Sequence, residues 1–141
     1  MFGMFISNDV KITDDMITKS ADFTKDSLKL TYNRYNLNKS DRIKHIIMGK
    51  LGELVFHRYL YLNGIEYDES KLFTLTNGKK EYPDDFITSI NETIDIKTAY
   101  LDYQSRIMVP CGKDGQWDQM PKHYYVGIKI HNMSTDNKVV E

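Results

Sequence analysis

The sequence predicts a mixed α/β domain, and two observations carry this prediction. Residues 41–62 have apolar side chains at helical spacing, and several later segments have the β-branched and aromatic composition of strands. One helix followed by a series of strands is typical of a domain in which helices cover a central sheet. A chain of 141 residues is long enough to form one such domain with its own core.

The composition is that of a soluble globular protein, with 40% apolar and 28% charged residues. A net charge of −1 gives no overall attraction to nucleic acid or to anionic membranes, although local patches could provide it. No apolar run approaches the roughly 20 residues that span a bilayer, so we expect no membrane partner. Because Cys111 is the single cysteine, it forms no disulfide within the chain, and we expect a reducing, cytoplasmic location.

The helix predicted over residues 41–62 has recognisable ends and an unusual interior. Ser40 is the predicted N-cap, and the Asn-Gly pair at residues 63–64 predicts the end of the helix. Gly49 and Gly52 lie inside it, where each glycine costs up to about 1 kcal/mol relative to alanine. We therefore expect a neighbouring element to approach this helix closely.

The rest of the chain divides into an N-terminal part and a core within the same domain. Residues 1–38 are assigned to an arm with a short helix, and residues 39–141 to the core. The chain ends on what resembles the start of another strand, so we expect the core to be truncated at its C-terminal end. The predicted strands cover residues 71–76, 85–90, 93–100, 105–110 and 123–130.

Residues 85–90 and 93–100 are expected to form a β-hairpin, with Asn91 as the turn residue. Side chains alternate between the two faces of a strand. Asp95 and Lys97 therefore share one face of the second strand, and the isoleucines beside them face a helix or the core. The hairpin also brings the start of its first strand, at Asp84 and Asp85, within reach of Asp95.

Two carboxylates from neighbouring strands provide the oxygen ligands that Mg²⁺ or Mn²⁺ prefers. A metal ion of this kind neutralises phosphate oxygens and lowers the pKa of a bound water. A lysine beside the ion can orient or deprotonate that water, or stabilise the charge that develops on a phosphate. The hairpin therefore has the residue types that metal-dependent phosphodiester hydrolysis needs.

The sequence Pro-Asp-Asp at residues 83–85, followed by a short spacer and Asp-Ile-Lys at residues 95–97, resembles the motif of the PD-(D/E)XK nuclease superfamily. In that superfamily the helix before the hairpin often carries a glutamate, and Glu53 resembles it. The resemblance covers about residues 40–130. It implies a restriction-endonuclease-like core, in which helices flank a central mixed β-sheet that contains the catalytic hairpin.

The resemblance also implies an activity and a role for each motif residue. It implies a Mg²⁺- or Mn²⁺-dependent nuclease, an endonuclease that acts on DNA rather than RNA, and it makes a homodimer plausible. Asp85 and Asp95 would bind the metal, with the Ile96 carbonyl as a third ligand. Glu53 would complete or support the site, directly, through a water or through a second metal. Lys97 would position the attacking water and stabilise the transition state.

Two features of the motif leave alternatives open. The literal Pro-Asp pair favours Asp84 as the ligand, whereas an aspartate directly before an apolar strand residue favours Asp85, which precedes Phe86. Asp84 and Asp85 point opposite ways if both lie in a strand, so only one can face Asp95, and Asp85 is preferred. In addition, Asp95 stands where most members of the superfamily have the longer glutamate.

Three further residues are candidates for contact with the substrate. Gln104 lies beyond the motif, where some relatives carry a polar residue that contacts the site or substrate. Lys50 could touch a phosphate, and Thr98 follows the motif lysine. The ordinary roles of these side chains are a solvated charge for Lys50 and a β-forming residue for Thr98.

Two other hypotheses account for the same residues. The chain could be a non-catalytic nucleic-acid-binding or assembly domain that has kept the fold. It could also be an unrelated α/β domain in which the hairpin charges are surface ion pairs, each worth less than about 1 kcal/mol. The last hypothesis predicts that Asp85 and Asp95 are well separated and freely solvated.

Overall fold

The computed structural model describes residues 9–30, 38–75, 85–101 and 122–131. These residues form a mixed α/β arrangement of two α-helices, one 3-10 helix and three strands. No helix within these ranges is both long enough and apolar enough to cross a membrane. The elements in chain order are α1 (Asp14–Leu30), α2 (Lys39–Leu62), the 3-10 helix (Glu69–Phe73), β1 (Phe86–Ile87), β2 (Thr93–Ala99) and β3 (Tyr124–Lys129).

Helix α2 matches the predicted helix, apart from its N-cap residue. The side chain of Asn38 accepts a hydrogen bond from the Asp41 backbone N–H at 2.9 Å, so Asn38 is the N-cap and the prediction of Ser40 is wrong. An extended backbone at Asn38 lets its short side chain reach the free N–H groups of the first turn. The helix ends as predicted at the Asn-Gly pair, where Gly64 has a φ of 75°.

Helix α1 has 17 residues, whereas the sequence predicted only a short helix in this region. The helix packs against α2. Its buried face includes Ser20, Thr24 and Ser27, whose exposed fractions are 0%, 3% and 2%. Met16 shares this face with the small polar residues, so the helix is amphipathic but its buried positions have less apolar character than those of a typical amphipathic helix.

The strand predicted over residues 71–76 is wrong where the structure describes it, since residues 69–73 form the 3-10 helix. The carboxylate of Asp68 accepts hydrogen bonds from the Ser70 backbone N–H at 3.0 Å and from the Ser70 hydroxyl at 2.7 Å. A local side-chain bond of this kind competes with strand pairing. The turn buries Leu72 in the core.

The sheet has the order β1-β2-β3, with β1 antiparallel to β2 and β3 parallel to β2. The predicted hairpin is confirmed, although β1 covers only two residues of the predicted first strand. Asn91 takes a φ of 61°, as a turn residue of this hairpin requires, and the Thr88 N–H donates to the Glu92 carbonyl at 2.9 Å. Strand β3 confirms the strand predicted over residues 123–130, and the one predicted over residues 105–110 lies outside the described residues.

The core lies between α2 and the sheet. Leu51 is fully buried on the helix, and Phe86 of β1 is 1% exposed. The ring of Phe86 meets the ring of Phe56 edge to face, with 4.9 Å between the ring centroids. Full burial of side chains of this size stabilises the fold by about 1.5–3 kcal/mol each. This packing fixes the hairpin against the helix that carries Glu53.

Candidate functional site

The side chains of β2 alternate as the sequence predicts. Ile96 is buried in the core, and the partly buried Ile94 packs against that core. Lys97 Nζ lies 2.6 Å from Asp95 Oδ2, and these two side chains are 22% and 14% exposed. The pair is therefore more shielded from water than an ordinary surface ion pair, and its mutual attraction is screened less.

Asp85 joins this pair from the neighbouring strand. The register pairs Phe86 with Ile94, and one step further along it sets Asp85 opposite Asp95. Asp85 Oδ2 accepts a hydrogen bond from the Ile96 N–H at 2.6 Å. The two aspartates are neither separated nor freely solvated, contrary to what an unrelated domain with surface ion pairs predicts. Asp84, the alternative ligand, lies outside the described residues.

Gly52 allows α2 to approach β2. A Cβ atom added at Gly52 would overlap Thr98 Oγ1, so the Thr98 side chain or the elements around it would have to shift. The expected close approach is therefore present at Gly52 but not at Gly49, where an added Cβ would meet no atom within 4 Å. Glu53 directly follows Gly52 on this helix. Thr98, expected at the substrate, is packed against the helix instead.

Lys50 points into the interior rather than towards a substrate. Only 6% of the residue is exposed, and its Nζ lies 2.9 Å from Glu53 Oε1. The same ammonium group donates to the Leu72 carbonyl. The expectation that Lys50 touches a phosphate in solvent is thus wrong, because its charge is already used inside the protein. Its spacing from Glu53, three residues along a helix, was the signal that could have indicated the pair.

The charges of Glu53, Asp85 and Asp95 affect one another's pKa values. Burial is the main cause that raises the pKa of Asp85 to about 8, and the charges of Glu53 and Asp95 raise it further. The Ile96 N–H and Lys50 act in the opposite direction. Burial also raises the pKa of Glu53, which Lys50 lowers and Asp95 raises. A cation beside Asp85 and Asp95 would reduce this repulsion.

The donor atoms of this group suit a hard divalent cation. Mg²⁺ in proteins keeps several waters and is usually held by one or two carboxylates. Asp85 and Asp95 provide two, and Asp95 Oδ2 is a buried oxygen that faces the Lys97 ammonium group at 2.6 Å. Among the described residues, no group of three or more His, Cys, Asp or Glu side chains converges closely enough to hold a metal ion. Asp85 and Asp95 are therefore the side chains that we consider as ligands of a divalent cation.

The roles predicted for Gln104 and for the Ile96 carbonyl both stay predictions. Gln104 lies outside the described residues, so its expected contact with the substrate stays a prediction. The backbone N–H of Ile96 is bonded to Asp85, and a metal-binding role of the Ile96 carbonyl also stays a prediction.

Comparisons with family models, with curated proteins and with solved structures each found no match for this chain. The resemblance to the PD-(D/E)XK superfamily therefore rests on its motif residues, of which Glu53, Asp85, Asp95 and Lys97 lie within the described residues.

Proposed function

We propose that this chain is a metal-dependent nuclease of the PD-(D/E)XK type, an endonuclease that hydrolyses phosphodiester bonds in DNA in preference to RNA. The observation that carries the proposal is that Asp85, Asp95 and Lys97 lie together on one hairpin, while the preceding helix carries Glu53, whose charge acts on Asp85. The order of helix α2, an antiparallel hairpin and a parallel strand supports a restriction-endonuclease-like core.

Asp85 and Asp95 would hold Mg²⁺ or Mn²⁺, together with the Ile96 carbonyl. When bound, the ion supplies charge neutralisation for the phosphate oxygens and a lower pKa for its bound water. The hydrogen bond from the Ile96 N–H fixes the Asp85 side chain, and the strand register keeps it opposite Asp95. The chain thus orients both carboxylates through its backbone.

Lys97 is the positively charged residue beside these carboxylates, on the same face of β2 as Asp95. Its side chain is 22% exposed, so a phosphate that approaches from solvent can reach the ammonium group. There it would hold the attacking water and stabilise the negative charge that develops on the phosphate. Asp95 keeps the ammonium in place through the 2.6 Å ion pair.

The test is cleavage of supercoiled plasmid, single-stranded DNA and RNA by the purified chain, with Mg²⁺, Mn²⁺ or EDTA. We expect metal-dependent nicking of DNA by the wild type. We expect Lys97→Ala to lose about 10²–10⁴-fold in rate, the range that a positioned proton-transfer group contributes, while its circular dichroism spectrum stays unchanged. Lys25→Ala, at an exposed lysine on α1, is the matched control and should cut like the wild type.

The outcomes separate the nuclease from its main alternative. Cleavage by Lys97→Ala at the wild-type rate would contradict the mechanism. DNA binding without nicking in either metal would favour a non-catalytic nucleic-acid-binding domain of the same fold. Cleavage that EDTA leaves unchanged would contradict metal dependence.

A further inference from the structure

Gly127 lies in the interior of strand β3, where a glycine weakens a strand because it has no side chain to pack. The pairing of β3 with β2 runs without interruption over Tyr124–Lys129, so Gly127 makes no bulge. Among the glycines that the structure describes, Gly64 alone has a positive φ, so the backbone at Gly127 does not require glycine either. The remaining reason for a glycine inside a strand is the close approach of a ligand or of another backbone.

Gly127 lies directly opposite Lys97 in the register of β3 with β2. Residues that are opposite each other on neighbouring strands have their side chains on the same face of the sheet, and the two backbones are about 4.8 Å apart. A side chain in place of Gly127 would therefore stand beside the stem of Lys97. Because Gly127 is exposed, the space that the missing side chain leaves is open to solvent and is not filled by packing.

Two side chains on the same face of β3 flank this space, and a backbone contact holds each of them. The hydroxyl of Tyr125 accepts a hydrogen bond from the Lys122 backbone N–H at 3.0 Å. The ammonium group of Lys129, two residues after Gly127, donates to the Leu101 carbonyl. We call the space over Gly127, between Tyr125 and Lys129, the Gly127 notch.

The Gly127 notch continues the candidate site across the sheet. In the order β1-β2-β3, the carboxylates belong to the β1 and β2 side, Lys97 lies on β2 and the notch lies on β3. When the cleaved bond is internal, the sugar–phosphate backbone continues on both sides of the phosphate at Lys97. A strand position without a side chain lets that backbone lie against β3, and the charge of Lys129 attracts its phosphates.

We propose that Gly127 determines the substrate class: the Gly127 notch receives the sugar–phosphate backbone next to the phosphate at Lys97, so that the substrate is an internal phosphodiester in a continuous strand. The proposal rests on the proposed function, since it names the substrate class of the same site. Gly127 contributes through the absence of a side chain and takes no part in the chemical step.

The experiment compares Gly127→Ala, Gly127→Val and Gly127→Leu with the wild type in Mn²⁺, on supercoiled plasmid and on bis(p-nitrophenyl) phosphate, which has no nucleotide to place in the notch. We expect plasmid nicking to fall as the side chain grows, by about 10²-fold in Gly127→Leu, the loss that a misplacement of about 1 Å can cause. Hydrolysis of the small diester should stay at the wild-type rate. Tyr124→Leu, at an exposed residue on the opposite face of β3, is the matched control and should resemble the wild type on both substrates.

Binding of DNA, measured apart from cleavage, distinguishes this proposal from the nuclease. In Ca²⁺, a hard cation that oxygen ligands also bind, the fluorescence anisotropy of a labelled single-stranded DNA should show weaker binding to Gly127→Leu than to the wild type. The melting temperature of Gly127→Leu should be no lower than that of the wild type, because larger side chains suit a strand better than glycine does.

The outcomes that overturn the proposal are specific. Equal nicking and equal binding by Gly127→Leu and the wild type overturn the notch and leave the nuclease standing. An equal loss on plasmid and on the small diester also overturns it, because the new side chain then disturbs the chemistry at Lys97. A wild type that binds DNA but cleaves neither substrate overturns the nuclease alone, and one that binds no DNA overturns both.

Discussion

The protonation of the Asp85 carboxyl group makes the stability of the folded chain depend on pH. Its pKa rises from the ordinary 3.8 to about 8, mainly through burial and then through Glu53 and Asp95. Between these values the folded chain binds more protons than the unfolded chain, so stability falls as the pH rises. For one fully shifted carboxyl the slope approaches about 1.4 kcal/mol per pH unit.

We therefore expect the melting temperature in EDTA to fall between pH 5 and pH 8. Asp85→Asn removes this titration, so its melting temperature should depend less on pH. The slope should not vanish, because the pKa of Glu53 is raised as well. Thermal unfolding followed by circular dichroism at several pH values tests this. A wild-type melting temperature that rises with pH, or an unchanged slope in Asp85→Asn, would contradict it.

Lys50 should also contribute to stability, since it is the buried partner of Glu53. Lys50→Met leaves Glu53 shielded from water and without its cation, which should cost about 3–5 kcal/mol in the free energy of unfolding. Urea denaturation at pH 8 measures this loss, and Lys25→Ala should change stability by less than about 0.5 kcal/mol. Adding Glu53→Gln should restore part of the loss. Equal stability of Lys50→Met and the wild type would argue against a buried ion pair.

At the scale of elements, the contact between α2 and β2 depends on one glycine. Gly52→Ala would force a Cβ atom against the Thr98 side chain, and we expect a loss of about 1–3 kcal/mol. Gly49→Ala is the matched control on the same helix, because its Cβ meets open space, and it should gain up to about 1 kcal/mol from helix propensity.

Chemical denaturation of the two alanine variants makes this comparison. Replacing Thr98 with alanine in the Gly52→Ala background removes the hydroxyl that clashes, so it should recover part of the lost stability. Equal stability of Gly52→Ala and Gly49→Ala would contradict the close approach of the helix to the sheet.

The elements that the sequence predicts well are those with local signals. Helix α2 has apolar periodicity and an Asn-Gly stop, and the hairpin has strand alternation on both sides of Asn91. The sequence predicts only part of helix α1 because its buried positions include Ser20 and Thr24, which carry no hydrophobic signal. The sequence predicts a strand in place of the 3-10 helix because the backbone there is set by a hydrogen bond to the Asp68 side chain, which apolar periodicity does not reveal.

At the scale of the whole molecule, the candidate site combines predictable and unpredictable parts. The strand period predicts that Asp95 and Lys97 share a face, and the hairpin predicts that Asp85 lies beside them. The interior position of Lys50 depends on where α1 and the 3-10 helix pack, which is set by tertiary contacts with Phe23 and Leu72. A sequence pattern along one helix contains no information of that kind.

Metal-dependent cleavage of supercoiled plasmid, compared between the wild type and Lys97→Ala, tests the central claim most directly. We predict nicking with Mg²⁺ or Mn²⁺ that EDTA stops, and a loss of about 10²–10⁴-fold in Lys97→Ala with its fold retained. Cleavage by Lys97→Ala at the wild-type rate, or a folded wild type that nicks no nucleic acid in either metal, would contradict the account.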